Sequence, residues 1–345
     1  MARRPTRAQL RRQFEALADE WSPRVRDAFL AAVADIANRA ELGRIIERLE
    51  RGDIAGAIDA VHLDPAAYRA LETALTGAFG AGGAATVAGL PVLRDPTGAN
   101  VVIRFDVRAP RAEAYLREHS AQLVTRIIDD QRQAIRSVLE TGLIEGRNPR
   151  TTALDIIGRT TRATNSRVGG IIGLSAPQAQ AVDKARSALT SGDPAAMRDY
   201  LNLTRRDKRF DATVRKAIAE GKALPADVAQ RITGRYSDRL LQLRGETIAR
   251  TETLSSLHAS KAEAFEQAID TGAVQRSQVK KQWIATRDSR SRDHHASADR
   301  ERVGLDERFS TGLLYPHEPG APASEVINCR CDYEHVIDFL AGFGQ

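Results

Sequence analysis

The sequence predicts a mainly α-helical protein with a small α+β module at its C-terminal end. The 345 residues are 42% hydrophobic and 28% charged but only 5% aromatic, and a composition rich in Ala, Arg, Leu and Glu favours helix over sheet. The two cysteines and most of the unusual side chains fall in the last sixty or so residues. A chain of this length exceeds the usual size of one core, so we expect more than one domain.

Residues 1–76 are predicted to form a multi-helix N-terminal region. Leu10, Phe14, Leu17 and Trp21 recur at three- and four-residue steps, which is the spacing of one helix face. The same spacing recurs further along the segment. We therefore expect amphipathic helices throughout it.

A Gly/Ala-rich segment, residues 77–93, is interpreted as a flexible linker. It is uncharged, but several glycines interrupt it, which argues against a membrane-spanning helix. Membrane contact by this segment, as in a DNA-ejection factor, is a further hypothesis.

The middle region, residues 94–240, is predicted to begin with a β-hairpin near residues 90–107. Two apolar runs flank the turn sequence 95–98, Asp-Pro-Thr-Gly. Pro110 then opens a long helical pattern, and Ser175 is the expected N-cap of a later helix. We therefore predict helices for the rest of this region.

A net charge of +6 is compatible with nucleic acid as a partner, although acidic residues accompany the basic ones almost everywhere. A solvated helix face or a mobile N-terminal arm is the favoured explanation of these charges, and phosphate binding is the alternative. The candidate DNA-contacting residues form two clusters: Arg3, Arg4, Arg7, Arg11 and Arg12, and then Arg205, Arg206, Lys208 and Arg209.

The C-terminal module, residues 241–345, contains both cysteines, in the sequence Asn-Cys-Arg-Cys. So few cysteines argue against a disulfide scaffold and suit a cytoplasmic protein. If residues 325–333 form a strand, Cys329 and Cys331 point to one face. Upstream, we expect a short strand around Trp283 and then a short helix that carries two histidines and is capped by Asp288 or Ser291.

Four interpretations of this cluster remain open at the level of sequence. The first is a zinc site, since thiolate and imidazole are ligands that zinc prefers. The second is a Cys329–Cys331 disulfide, which needs a Cα separation near the allowed limit. The candidate zinc ligands are Cys329 and Cys331 with an imidazole from His294, His295, His317 or His335.

The third interpretation is a metal-dependent nuclease centre formed by Asp288, His294 and His295. The fourth is a purely structural module, in which the cysteines pack as small apolar side chains, Asn328 forms a cap or turn, and Arg330 pairs with an acid such as Asp288 or Glu325.

The order of three stretches resembles the C-terminal module of phage head morphogenesis proteins, the family of phage Mu protein F. The stretches are ARTET (249–253), KKQWIATRDSRSRDHH (280–295) and PHEPGAPASEVINCRC (316–331). A looser similarity begins near residue 105. Either His294 or His295 fills the family's histidine position. The other family positions are matched by Arg250, Thr251, Glu252, Lys281, Trp283, Asp288, Arg290, Asn328, Cys329, Arg330 and Cys331.

The resemblance implies a minor capsid protein of a tailed phage or prophage that acts at the portal vertex in procapsid assembly, DNA packaging or ejection. Its expected partners are the portal protein, other capsid or scaffold proteins and phage DNA, and no small-molecule substrate is evident. Its expected location is the capsid interior or portal vertex of the virion, and the host cytoplasm during assembly. We expect no enzymatic activity; the alternative is a metal-dependent nuclease or other effector centred on the C-terminal His/Cys/Asp cluster.

Overall fold

The computed structural model describes residues 6–91, 93–94, 100–161, 166–286 and 288–338. The protein is 66% helical, which confirms the mainly α class with a small β module. Within the described residues the α-helices are α1 (Arg7–Arg39), α2 (Leu42–Glu50), α3 (Ile54–Asp59), α4 (Arg69–Ala88), α5 (Pro110–Ile144), α6 (Pro149–Ile157), α7 (Ala176–Ser191), α8 (Pro194–Asn202), α9 (Asp211–Glu220), α10 (Ala226–Asp270), α11 (Asp293–Ser297) and α12 (Ala323–Val326).

In the part of the chain that the structure describes, the strands are short and pair as three separate antiparallel sheets. They are β1 (Leu93–Arg94), β2 (Asn100–Val101), β3 (Arg159–Thr160), β4 (Arg167–Val168), β5 (Val279–Ile284), β6 (Arg302–Gly304) and β7 (Asp332–Ile337). Pairing of β1 with β2 confirms the hairpin predicted near residues 90–107, whereas its predicted turn, 95–98, lies outside the described residues.

The described residues fall into two compact units, each discontinuous in sequence. Unit 1 draws on residues 1–26, 72–120 and 246–345, and unit 2 on residues 27–71 and 121–245. The predicted domains, by contrast, are consecutive segments, and their boundaries stay predictions.

Unit 2 is mainly helical, and the sequence predicts the start of one of its helices, α7. Ser175 is the N-cap of α7 and forms a capping box with Gln178, as expected from its position before a proline-containing helix start. The buried Gln131 amide donates to the Tyr68 hydroxyl at 2.6 Å and accepts from the Gly173 amide at 3.2 Å. The buried Gln131 amide is therefore satisfied through both its nitrogen and its oxygen.

The interpretation of residues 77–93 as a linker is wrong, because most of the segment belongs to α4. Its glycines allow close packing within unit 1. A Cβ on Gly77 would overlap the Trp21 ring, and one on Gly82 would lie 2.9 Å from Leu257 Cδ2 of α10. Here glycine marks the approach of neighbouring groups to the helix rather than chain flexibility.

The C-terminal module of unit 1 is built on a three-stranded sheet in the order β6–β5–β7. In this sheet Trp283 lies opposite Tyr333, and Lys281 lies opposite His335. Alternate β5 residues are buried, and Trp283 is fully buried against Phe309 with ring centroids 5.2 Å apart. This confirms the short strand predicted around Trp283.

Two local predictions for this module are wrong. Residues 325–331 are not a strand: α12 ends at Val326, Asn328 adopts a left-handed φ of 57°, and β7 begins only at Asp332. Asn tolerates this backbone conformation, so the predicted turn at Asn328 is confirmed. The short histidine-bearing helix exists as α11, but its N-cap is Arg292 without a side-chain cap.

Within the described residues, no helix combines the length and apolar character needed to cross a membrane.

The packing role of α4 predicts opposite effects for two Gly→Ala substitutions. Gly82→Ala should destabilise the protein by about 1–3 kcal/mol through overpacking, although alanine favours helix. Gly43→Ala, in α2 with nothing within 4 Å of an added Cβ, should instead stabilise it by about 0.5–1 kcal/mol. Chemical denaturation of both variants measures these changes. A stabilised Gly82→Ala variant would contradict the packing interpretation.

Candidate functional site

Both cysteines and one histidine meet in the interior of the C-terminal module. His295 Nδ1 lies 3.5 Å from Cys329 Sγ and 3.7 Å from Cys331 Sγ. The three side chains are buried, and both cysteines are free thiols. The convergence of the two thiols follows from the turn at Asn328 rather than from strand alternation.

Glu325 fixes the orientation of the adjacent histidines. Its Oε2 lies 2.9 Å from His295 Nε2 and 2.7 Å from His294 Nε2. The His295 side chain is 1% exposed, whereas that of His294 is 52% exposed. Of the two neighbours, His295 is therefore the one that reaches the thiols.

The pKa values of the two thiols shift in opposite directions. The hydrogen bond from the Cys331 thiol, helped by His295, lowers the pKa of the Cys329 thiol. The same bond, together with burial, raises the pKa of Cys331. Burial alone would lower the pKa of His295, but its contacts with Cys329 and Glu325 raise it.

The other candidate imidazoles have different contacts. His317 Nε2 lies 3.1 Å from the Cys329 carbonyl oxygen, and burial beside His258 lowers the pKa of His317 to about 4. The His335 ring stacks on the Phe265 ring, with the ring centroids 3.9 Å apart. Neither joins a cluster of potential metal ligands among the described residues.

Arg330 and Asp288 form the predicted ion pair, with Arg330 Nη2 donating to Asp288 Oδ1 at 2.6 Å. The hydrogen bond from Arg330 lowers the pKa of Asp288 to about 2. Thr286 Oγ1 donates to the Arg330 carbonyl oxygen at 2.7 Å. The more exposed Arg290 lies 3.9 Å from Asp288. The Asp-x-Arg segment is thus attached to the cysteine turn.

Lys281 is buried, and its ammonium group holds a loop in place. Nζ donates to the carbonyl oxygens of Glu307 at 2.8 Å and Leu314 at 2.9 Å. Desolvation lowers the pKa of Lys281 to about 8. This lysine therefore replaces missing backbone partners for the loop between β6 and α12.

The Arg-Thr-Glu segment lies on α10, as predicted for a helix. Glu252 Oε2 lies 2.9 Å from His119 Nε2, and both side chains are largely buried. Thr251 is buried, whereas Arg250 is exposed. The histidine partner is separated by more than a hundred residues in sequence, so no local pattern indicates it.

A second polar network, missed by the sequence analysis, joins α10 to β7 and the loop before α12. His258 Nε2 lies 3.1 Å from Asp332 Oδ1, and Lys261 also pairs with this carboxylate. His258 Nδ1 lies 2.8 Å from the Pro316 carbonyl oxygen, and Ser255 Oγ donates to the His317 carbonyl at 2.9 Å. A run of polar residues on an otherwise core-facing helix was the available sequence signal.

The candidate DNA-contacting residues are distributed over both units. Arg3 and Arg4, and the side chain of Arg7, lie outside the described residues, whereas Arg11 pairs with Glu15 at 3.0 Å and Arg12 Nε donates to the Ala8 carbonyl. In unit 2, Arg205 and Lys208 are exposed.

The other two candidates in unit 2 are engaged by acidic side chains. Arg206 pairs bidentately with Asp211, and Arg209 pairs with Asp207 at 2.6 Å. DNA contact by either cluster stays a prediction.

Comparison with known proteins supports the resemblance inferred from the motif order. Residues 208–334 match the family model described as Phage Mu protein F like protein. The match starts before residue 241, the predicted start of the module. The resemblance to this family is thereby confirmed.

The chain is also similar to NAD(+)–arginine ADP-ribosyltransferase EFV of Enterococcus faecalis, with 33% identity over 99 residues, which cover 27% of this chain and 19% of that protein. The chain thus spans about a fifth of the length of this curated relative. No solved structure matches.

The depressed pKa of Lys281 predicts a pH effect on stability. The unfolded lysine, with a pKa near 10.5, binds more protons than the folded one between pH 8 and 10.5, so stability should rise with pH there. From about pH 8 to 9.5 we expect a gain of about 1–2 kcal/mol relative to Lys281→Met. Urea denaturation of both proteins across this range measures it; parallel pH profiles would contradict the buried ammonium.

The Asp288–Arg330 pair predicts energetic coupling that its neighbour lacks. A double-mutant cycle with Asp288→Ala and Arg330→Ala should give a larger coupling energy than the cycle with Asp288→Ala and Arg290→Ala, because Arg290 is more distant and more exposed. Thermal or urea unfolding supplies the four stabilities of each cycle. Equal coupling in both cycles would show that the pair does not hold the cysteine turn.

Proposed function

Because residues 208–334 belong to the Phage Mu protein F like family, we propose that this protein is a minor capsid component of a tailed phage or prophage that acts at the portal vertex. The family suggests phage head morphogenesis and association with other capsid proteins. The proposal adds the portal as the site of action, with a role in procapsid assembly, DNA packaging or ejection.

The observation that carries the proposal is the family match, and the structure explains what its motif residues do. Trp283 is the centre of an apolar cluster, Lys281 satisfies a loop, and Arg330 pairs with Asp288. These residues maintain the fold of the module. A docking function would then be performed by its exposed surface.

The proposed role is non-enzymatic. The buried His295, Cys329 and Cys331 are shielded from a phosphodiester, and Asp288 is occupied by Arg330, so this arrangement favours a structural centre over a nuclease. The similarity to the ADP-ribosyltransferase spans 19% of that protein, and its activity is not part of the proposal.

The proposal predicts that the protein is recovered in heads and depends on an intact module for entry. In the phage that encodes it, a tagged chain should be present in purified procapsids and should co-sediment with purified portal rings. Trp283→Ala, which removes a fully buried ring and should cost about 3–5 kcal/mol, should reduce recovery strongly. The control Val102→Ala, at a side chain that is 77% exposed, should leave recovery unchanged.

Two outcomes would contradict the proposal at different levels. Absence of the wild-type chain from heads, with normal head yield after gene deletion, would remove the capsid role. Undiminished recovery in heads assembled without portal protein would remove the portal location while leaving the capsid role intact.

A further inference from the structure

The two thiols of the C-terminal module approach the same imidazole nitrogen. Cys329 Sγ and Cys331 Sγ lie 3.5 and 3.7 Å from His295 Nδ1. A neutral imidazole nitrogen has one lone pair and accepts one good hydrogen bond. Hydrogen bonding therefore explains one of these approaches well, but not both.

The spacing of these atoms matches a tetrahedral metal site. With Zn–S near 2.3 Å and Zn–N near 2.0–2.1 Å, a tetrahedral angle gives an S···N separation of about 3.6 Å. Both observed separations lie within about 0.1 Å of this value. All three donor atoms lie within 4.8 Å of one another. The two sulfur–nitrogen separations already present are therefore those that a bound ion requires.

The surroundings also suit a metal ligand set. Glu325 binds His295 Nε2, which places the proton on that nitrogen and leaves the Nδ1 lone pair facing the thiols, as outer carboxylates do for metal-bound histidines. The Cys331 amide N–H lies 3.4 Å from Cys329 Sγ, to which it donates. Trp283 and Phe309 belong to the apolar cluster around the sulfurs, and such a shell limits access of solvent.

We propose that His295 Nδ1, Cys329 Sγ and Cys331 Sγ bind one zinc-class divalent ion, with a water molecule in the remaining tetrahedral position. On binding, two metal–sulfur bonds and one metal–nitrogen bond form, both thiols release their protons to solvent, and no electron is transferred. The ion would join α11 to the turn before β7. This site is independent of the proposed capsid function.

A competing cluster shares His295 but has a simpler explanation. His294, His295 and Glu325 also lie within metal-binding distance of one another. Glu325 Oε2 lies 2.7 Å from His294 Nε2 and 2.9 Å from His295 Nε2. These are ordinary hydrogen-bond lengths, so hydrogen bonding alone explains the contacts. This alternative cluster lacks thiolates, and His294 in it is exposed. Since His294 belongs only to this cluster, its substitution is a matched control for substitution of His295.

The test measures metal content in the complete chain purified without chelator and then reconstituted with zinc. We expect about one zinc per chain in the wild type and in His294→Ala, and none in Cys329→Ser/Cys331→Ser or His295→Ala. Cobalt substitution should give sulfur-to-cobalt charge-transfer absorption in the first two proteins only. Circular dichroism establishes that each variant is folded.

A second readout covers the case in which the cysteine variant fails to fold. Adding a chelator to the folded wild type should lower its melting temperature, and stoichiometric zinc should restore it. A folded wild type that takes up no zinc would overturn the proposal. So would loss of the ion in His294→Ala with retention in the cysteine variant, because that result assigns it to the competing cluster.

Discussion

The carboxylate of Asp332 is the group on which the C-terminal module most depends. Only 20% of its side chain is exposed, and it contacts both Lys261 and His258 of α10. Burial alone would raise the pKa of Asp332, but the charge of Lys261 and the contact with His258 lower it, so the group is held ionised. Removing a partner would leave a charge in a poorly solvated place, which is costly. This contact therefore fixes the start of β7 against α10.

From this contact the remaining parts of the module are placed in turn. β7 pairs with β5 along six residues, and the buried face of β5 contains Val279, Lys281 and Trp283. Lys281 then holds the loop that leads to α12 through two carbonyl groups. Cys331 directly precedes Asp332, the first residue of β7. The pairing of β7 with β5 therefore also sets the position of the thiol cluster.

The sequence predicted those features that depend on local patterns and missed those that depend on distant partners. Helical periodicity predicted the mainly α-helical class, and Ser175 predicted the start of α7. The α4 glycines were misinterpreted, because the groups that approach Gly77 and Gly82 lie on other helices. The thiols were expected to converge through strand alternation, whereas the left-handed turn at Asn328 brings them together. His294 and His295 differ by about 100° around a helix, so their roles required the helix orientation.

The residues that carry the family resemblance mostly stabilise the module. Trp283 and the cysteines are buried, and Arg330 is paired, so these side chains are not available to select a partner. Exposed positions such as Ile327, which is 42% exposed beside the cysteine turn, are free to differ without loss of the fold. Substitutions at the surface of this module should therefore cost less stability than substitutions among its interior contacts.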